Sequence, residues 1–339
     1  MKAFLATKPY AIQLVDLPIP EISPSTVLVR TSAVGICGSD IHLFRGDHPY
    51  TTYPLIFGHE AVGTVEAVGE SVTHFKAGDR VVLEPLISCG ECYPCSIGRR
   101  NCCSNMKTVG VTTNGAFAEF FVAPESCFHL IPANLPFRRA VLAEPCSIGF
   151  HATARGAVEA SDQVVIIGAG TIGLTILAAA KQTGAAVLIA DIGDFRLDIA
   201  RRMGADVTVN SQKEDLGAIV KQWTDGFGAS VVIEAVGMPA TIESTIGLVA
   251  DAGRIVITGV TKEKFAVRGV DMTKKELTVF GSRNNLGNFA AALMFIKENP
   301  QIAEKLVTHT FPFAETQAAF KIADEKPNET CKIIVDFES

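Results

Sequence analysis

The chain has nine cysteines, and five of them fall between Cys89 and Cys103. Cys89, Cys92, Cys95 and Cys103 read C-x2-C-x2-C-x7-C, and Cys102 stands beside the last as an alternative fourth ligand. Four thiolates this close in sequence are the ligand set of a closed, tetrahedral structural zinc. Around Zn²⁺ they leave a formal charge of about −2, which Arg99, Arg100 and Lys107 are placed to offset. A secreted disulfide scaffold would be short, with its cysteines spread evenly. A tight cluster in a long chain points instead to metal in a reducing compartment.

A second set of metal-competent residues is dispersed. Cys37 lies in G-I-C-G-S-D-I-H (35–42), His59 and Glu60 in G-H-E-x-x-G-x-V-x-x-V-G (58–69), and Glu144 in A-E-P-C-S-I-G (143–149). A thiolate, an imidazole and a carboxylate with one position left open are what a catalytic zinc needs. Taken singly, each is an ordinary polar residue.

A third feature is G-A-G-T-I-G at 168–173, directly after Q-V-V-I-I. It supplies Gly168, Gly170 and Gly173 of a G-x-G-x-x-G fingerprint, with Ile172 on the same turn. The first glycine allows a tight turn, the second lets the backbone approach a pyrophosphate, and the third lets the following helix pack on the strand. The helix N-terminus then offers free N–H groups to phosphate. Asp191 ends the next apolar run and is placed to bond an adenosine ribose diol. A carboxylate there repels a 2′-phosphate and favours NAD over NADP, although Arg196 nearby would accommodate that phosphate.

The elements that position these residues follow from patterning. Up to about residue 150 the chain shows short β-rich runs broken by Gly, Pro and Asp, at 27–34, 61–69, 79–85 and 116–124. Such spacing predicts an irregular, barrel-like β domain. From 151 to about 285, apolar strands at 163–168, 186–191, 205–210, 230–237, 254–260 and 276–282 alternate with helical stretches. That is the pattern of βαβ crossovers and a parallel sheet. The tail, 286–339, opens with a helix at 288–298, ends in the strand C-K-I-I-V-D-F and is expected to return to the first domain. Gln163–Ala180 is uncharged for 18 residues, the lower limit for a membrane span. Its three glycines and the charges that follow make it a buried strand, a turn and an apolar helix.

With 30 basic and 36 acidic residues, a net charge of −6 and 19% charged residues, the chain has no electrostatic footprint for nucleic acid or an anionic membrane. The 339-residue length suggests two domains. The first twenty residues lack the apolar core and small-residue cleavage site of a secretory signal, so a soluble cytoplasmic protein is expected.

On G-I-C-G-S-D, G-H-E, the four-cysteine lobe, E-P-C-S-I-G and the glycine fingerprint, the whole chain resembles the zinc-containing medium-chain dehydrogenases. The similarity lies on the polyol and threonine dehydrogenase side, where the third ligand is a Glu at the position of Glu144. C-Y-P-C-S-I-G together with G-S-R-N (281–284) is similar to bacterial L-galactonate and L-gulonate 5-dehydrogenases. The resemblance implies an α/β chain with a GroES-like, β-barrel-type catalytic domain (1–150, zinc lobe 89–103), a Rossmann doubly wound parallel-sheet NAD-binding domain (151–285) and a returning C-terminal segment (286–339). It also implies two zinc ions per chain, NAD as hydride acceptor, a homodimer or homotetramer, and a small alcohol substrate, a sugar acid or polyol.

Cys37, His59 and Glu144 are then the expected catalytic-zinc ligands. His59 and Glu60 are neighbours that point to opposite faces of an extended segment, so Glu60 reaches the metal directly or in exchange with water only where the backbone bends. Cys146, at a position expected to be aliphatic, competes as a ligand. Ser39 and His42 occupy the positions that relay the alcohol proton to solvent, and Arg283 lies where such enzymes bring an Arg to the zinc-side carboxylate or to the substrate, whose own carboxylate its guanidinium fork would suit; pairing with protein acids or with the cofactor is the alternative. Other substrates on the same chemistry are L-threonine, sorbitol, xylitol and simple alcohols, with specificity carried by loops such as 43–53. A non-catalytic binding or sensing module would have lost a ligand or a fingerprint glycine, and every one of these positions is filled.

Overall fold

The computed structural model describes residues 1–49 and 52–338, so Tyr50 and Thr51 of the 43–53 loop lie outside the described residues. The chain divides into two compact units, one formed by Met1–Glu144 together with the segment from Phe289 onward, the other by Pro145–Asn288.

In the first unit the spine is the strand Thr26–Ile36, flanked antiparallel by Glu60–Val68 and by the C-terminal strand Lys332–Asp336. The sheet continues through Arg80–Leu83 to Phe128–Leu130 on one side and through Val307–Pro312 on the other, while Phe120–Pro124 also pairs with the spine. Val307–Pro312 and Lys332–Asp336 run parallel, which requires a crossover; helix Thr316–Glu325 provides it. That helix buries Phe320, whose ring meets Phe117 edge-on at 5.1 Å and Phe57 at 6.1 Å. The C-terminal segment is thus built into the core of the N-terminal β unit. A three-stranded sheet (Ala11–Asp16, Lys2–Lys8, Leu55–Ile56) and a two-stranded one (Leu86–Ile87, Lys107–Thr108) also belong to the unit.

The second unit holds six parallel strands in the spatial order Val207–Asn210, Ala186–Asp191, Gln163–Ile167, Ala229–Glu234, Val249–Ile257, Thr278–Gly281. In chain order this is 3-2-1-4-5-6, the doubly wound arrangement, whose direction reverses between the strands at 163–167 and 229–234 and opens a ligand crevice at their carboxyl ends. The uncharged run at 163–180 resolves into the strand Gln163–Ile167 and helix Thr171–Gln182. Among the described residues no helix is long and apolar enough to cross a membrane.

Candidate active site

In the cysteine lobe, the Cys92 sulfur lies 3.5 Å from that of Cys95 and 3.8 Å from that of Cys103, which is 3.5 Å from Cys89. Zn–S bonds of ~2.3 Å at tetrahedral angles give S···S edges of about 3.8 Å, so these four thiols fit the ion. Cys102 stays outside the cluster, because it closes the 3₁₀ turn Arg100–Cys102 and the next residue turns inward. Backbone N–H groups of Ser104 and Cys95 pull the Cys92 thiol down to about 6, which readies it as a thiolate. Arg100 also meets a buried acid. Its guanidinium donates to the buried Glu84 carboxylate at 3.1 Å, and His129 Nε2 meets the same carboxylate at 2.6 Å.

The dispersed set also converges. Cys37 caps helix Gly38–Arg45, and one ligand atom from each of Cys37, His59 and Glu60 lies within 4.8 Å of the others. Asp40, fully buried, organises them: its carboxylate accepts from the Cys37 N–H at 2.9 Å and the Gly58 N–H at 3.3 Å, and lies 3.5 Å from His59 Nδ1. With Nδ1 facing a carboxylate, Nε2 is the ring atom left for a metal, the carboxylate–histidine pairing common at zinc. Ser39 Oγ sits 3.3 Å from that Nε2. Burial pulls the His59 imidazole down, but the charges of Asp40 and Cys37 outweigh it and hold it well above its ordinary value.

Glu60 points toward this cluster, yet its two oxygens accept from Lys332 Nζ, each at 2.6 Å, and both side chains are 1% exposed. Glu144, in the first turn of helix Ala143–Arg155, is buried but stands outside the compact three-residue set. Burial pushes its carboxyl up to about 7; His59 and Lys332 pull it down, Glu60 and Asp40 push it up. Cys37, Asp40, Glu60 and Glu144 bring four acidic groups to a place where His59 and Lys332 are the cations that act on Glu144. A buried group with that excess of negative potential fits a divalent cation.

The remaining site residues are less concentrated. His42 shares the helical face of Ser39, three residues on, but its Nδ1 is 2.8 Å from Asp47 at the surface. Arg283 is exposed in the second unit, just after the strand Thr278–Gly281. Gly168 has φ +100°, and a Cβ on Gly173 would stand 1.8 Å from the Gly168 carbonyl oxygen. Gly170, the N-cap of helix Thr171–Gln182, has nothing within 4 Å of where a Cβ would be: an open cradle for a phosphate. The Asp191 carboxylate accepts from the Ala169 N–H at 2.6 Å and the Gly193 N–H at 2.8 Å, which ties it to the glycine turn and leaves lone pairs for a diol. Ile172 is on the first turn of that helix and Arg196 on helix Asp194–Arg202.

Two residues of the site escaped the sequence reading. Asp40 was signalled by its place three residues after Cys37, a capping-box spacing. Lys332 was signalled only by being the one charge leading into I-I-V.

Residues 23–133 match the alcohol dehydrogenase GroES-like domain family, and residues 171–298 the zinc-binding dehydrogenase family. An uncharacterized zinc-type alcohol dehydrogenase-like protein of Haemophilus influenzae is 39% identical, over 98% of both chains. A sorbitol dehydrogenase of Bacillus subtilis is 33% identical, over 99% of this chain and 97% of its own. Among solved structures, an Escherichia coli alcohol dehydrogenase (rspB) complexed with NADH superposes with a TM-score of 0.93 at 35% identity, covering 99% of each chain. With a four-thiol cluster, a buried cysteine–histidine–carboxylate centre and a doubly wound sheet bearing the glycine turn, the chain belongs to the zinc-containing medium-chain dehydrogenases, on their polyol side.

Proposed function

We propose that this dehydrogenase oxidises a secondary alcohol of a sugar acid or polyol with NAD⁺, and that a hexonate of the L-gulonate or L-galactonate type is the favoured substrate. The observation that carries the reaction class is the buried cluster of Cys37, His59, Glu60 and Glu144 with its surplus of negative charge. Zinc held there supplies a Lewis acid that lowers the pKa of an alcohol, and the nicotinamide supplies the hydride chemistry.

The protein residues have distinct tasks in this reading. Cys37, His59 and Glu144 hold the ion, Asp40 fixes the His59 ring, and Lys332 keeps Glu60 in reserve. Ser39, beside His59 Nε2, takes the proton that the alcohol loses, and His42 with Asp47 hands it to solvent. Gly168, Gly170 and Gly173 receive the pyrophosphate and Asp191 the ribose. The NADH complex of the relative described above supports that cofactor.

The hexonate preference rests on C-Y-P-C-S-I-G and G-S-R-N, with Arg283 as the carboxylate's partner. The test is NAD⁺ reduction on a panel of hexonates, polyols, L-threonine and simple alcohols, with and without a chelator. The reading expects chelator-sensitive turnover, highest on hexonates and weakened in KM by Arg283→Ala. A simple alcohol or L-threonine turned over better than any hexonate would reassign the substrate. We place the protein in the cytoplasm as a homodimer or homotetramer, which sedimentation of the purified chain checks.

A further inference from the structure

Glu234 ends the fourth strand of the parallel sheet and is fully buried. Its Oε1 accepts from the N–H groups of Val236 and Gly237, both at 2.8 Å, and lies 2.8 Å from the Thr241 hydroxyl. Its carbonyl accepts from the Thr258 and Gly259 N–H groups at the end of the fifth strand, and the next N–H, of Ala235, donates to Ile167 at the end of the first. The peptide joining Glu234 to Ala235 thus ties together three strand ends at the point where the sheet order reverses.

The turn that Glu234 folds, Ala235–Met238, abuts the glycine turn. A Cβ on Gly168 would meet the Val236 side chain at 2.7 Å and the Ala235 backbone at 3.3 Å. On its other side, a Cβ on Gly259 would stand 2.1 Å from the Gly237 nitrogen and 2.6 Å from Glu234 Oε2. Within this packing Val236 is 43% exposed and Met238 is 57% exposed, so apolar side chains remain open to the crevice mouth.

Glu234 Oε2 is buried with no hydrogen-bond partner among the described residues. A buried carboxylate oxygen left without a partner costs stability. Groups that are costly to the fold concentrate where function needs them.

We propose that Glu234 is a positioning residue for the dinucleotide: by holding the Ala235–Met238 turn against Gly168, it shapes the floor under the nicotinamide half. The first βα turn serves the adenosine side and its pyrophosphate, and the strands beyond the reversal serve the second mononucleotide. Glu234 and its turn lie on that second side. The inference rests on the NAD reading above and touches no reacting atom.

The test is binding of NADH and of AMP to the full-length, zinc-loaded chain by fluorescence and calorimetry. Glu234→Leu removes the acceptor and should weaken NADH at least tenfold while leaving AMP within twofold. Glu234→Gln keeps an acceptor for the two N–H groups and should recover most of the affinity, with a melting temperature no lower than that of the native chain. Thr241→Val, which removes the hydroxyl's bonds to Glu234 Oε1 and to the Met238 N–H and carbonyl but leaves the Glu234 carboxylate in place, should weaken NADH a few-fold and serves if Glu234→Leu does not fold. Equal losses of NADH and AMP, or NADH binding within twofold of the native chain in both Glu234→Leu and Thr241→Val, would overturn the assignment. A native chain that binds neither nucleotide would instead overturn the NAD reading.

Discussion

Replacing Lys332 by methionine removes the ammonium from a buried pair and leaves the Glu60 carboxylate 1% exposed, with both oxygens stripped of their donor. Methionine matches the length of the stem, so the change is one of charge more than of packing. Breaking one partner of a buried pair costs roughly 3–5 kcal/mol, because the surviving charge stays in a low-dielectric site. For a unit of this size that corresponds to a fall of roughly 10 °C in melting temperature.

The Lys332 ammonium sets the pH window. Burial alone would lower its pKa, but the Glu60 charge outweighs burial and raises it from 10.5 to about 12. A raised folded-state pKa gives stability that is complete below 10.5 and lost only as pH rises through 12. The native-minus-variant difference is therefore flat between pH 7 and 9. Metal changes its size: in Lys332→Met a bound divalent cation takes over the ammonium's part in neutralising Glu60, and a ligand that binds only the folded state stabilises by mass action. Differential scanning calorimetry of zinc-loaded and chelated protein should show the larger loss in the chelated form. Glu60→Leu in the same chain should restore most of the stability in the chelated form, since it removes the stranded charge. A single variant within about 1 kcal/mol of the native chain, well under the cost of a stranded buried charge, or a double variant no more stable than the single, would refute the reasoning.

Other perturbations separate the remaining roles. Cys103→Ser should reduce the zinc content by one equivalent and unfold the 89–103 lobe, whereas Cys102→Ser should leave both unchanged, as read by metal analysis. In chelated protein, Glu144 has a folded-state pKa raised from 4.5 to about 7; the folded form binds its proton more tightly, so stability falls as pH rises from 4.5 to 7, and a melting series on Glu144→Gln should lack that fall. His42→Ala should slow turnover about a hundredfold, the low end of what a positioned proton-transfer group supplies, and flatten its pH dependence; unchanged steady-state kinetics would remove His42 from the relay. Asp191→Ser should narrow the preference for NADH over NADPH in direct binding, because the carboxylate that repels a 2′-phosphate is gone.

How far each feature could be read from the chain depends on how local its physics is. The zinc lobe and the glycine turn are spelled out within 15 and 6 consecutive residues, because one loop must close on one ion and one turn on one phosphate. The alternation of apolar strands and helices likewise announces the parallel sheet. Cys37, His59 and Glu144 are far apart in the chain, and only a resemblance joined them; the fold gathers Cys37 and His59 with Glu60. The bond from Arg100 to the buried Glu84 carboxylate is not legible in the sequence, because Glu84 lies outside the cysteine motif and its burial depends on the fold. For Lys332 the sequence signals a charge leading into an apolar strand but not its partner, which is 272 residues away.

What brings that lysine to Glu60 is register. Ile333 stands opposite Ile36, Ile334 opposite Gly35, and Gly35 opposite Glu60 on the far side of the same strand. Lys332 Nζ also donates to the Ile36 carbonyl at 2.9 Å, next to Cys37. Gly35 leaves the room between them: a Cβ there would come within 2.1 Å of Glu60 Oε2. A one-residue slip of the C-terminal strand would turn its side chains to the opposite faces and take the ammonium out of the centre. The apolar alternation that buries Ile333 and Val335 in the first unit's core therefore also fixes the charge beside the metal ligands. Hydrophobic patterning at the far end of the chain, and not any motif near Cys37 or His59, decides whether Glu60 faces a lysine or an ion.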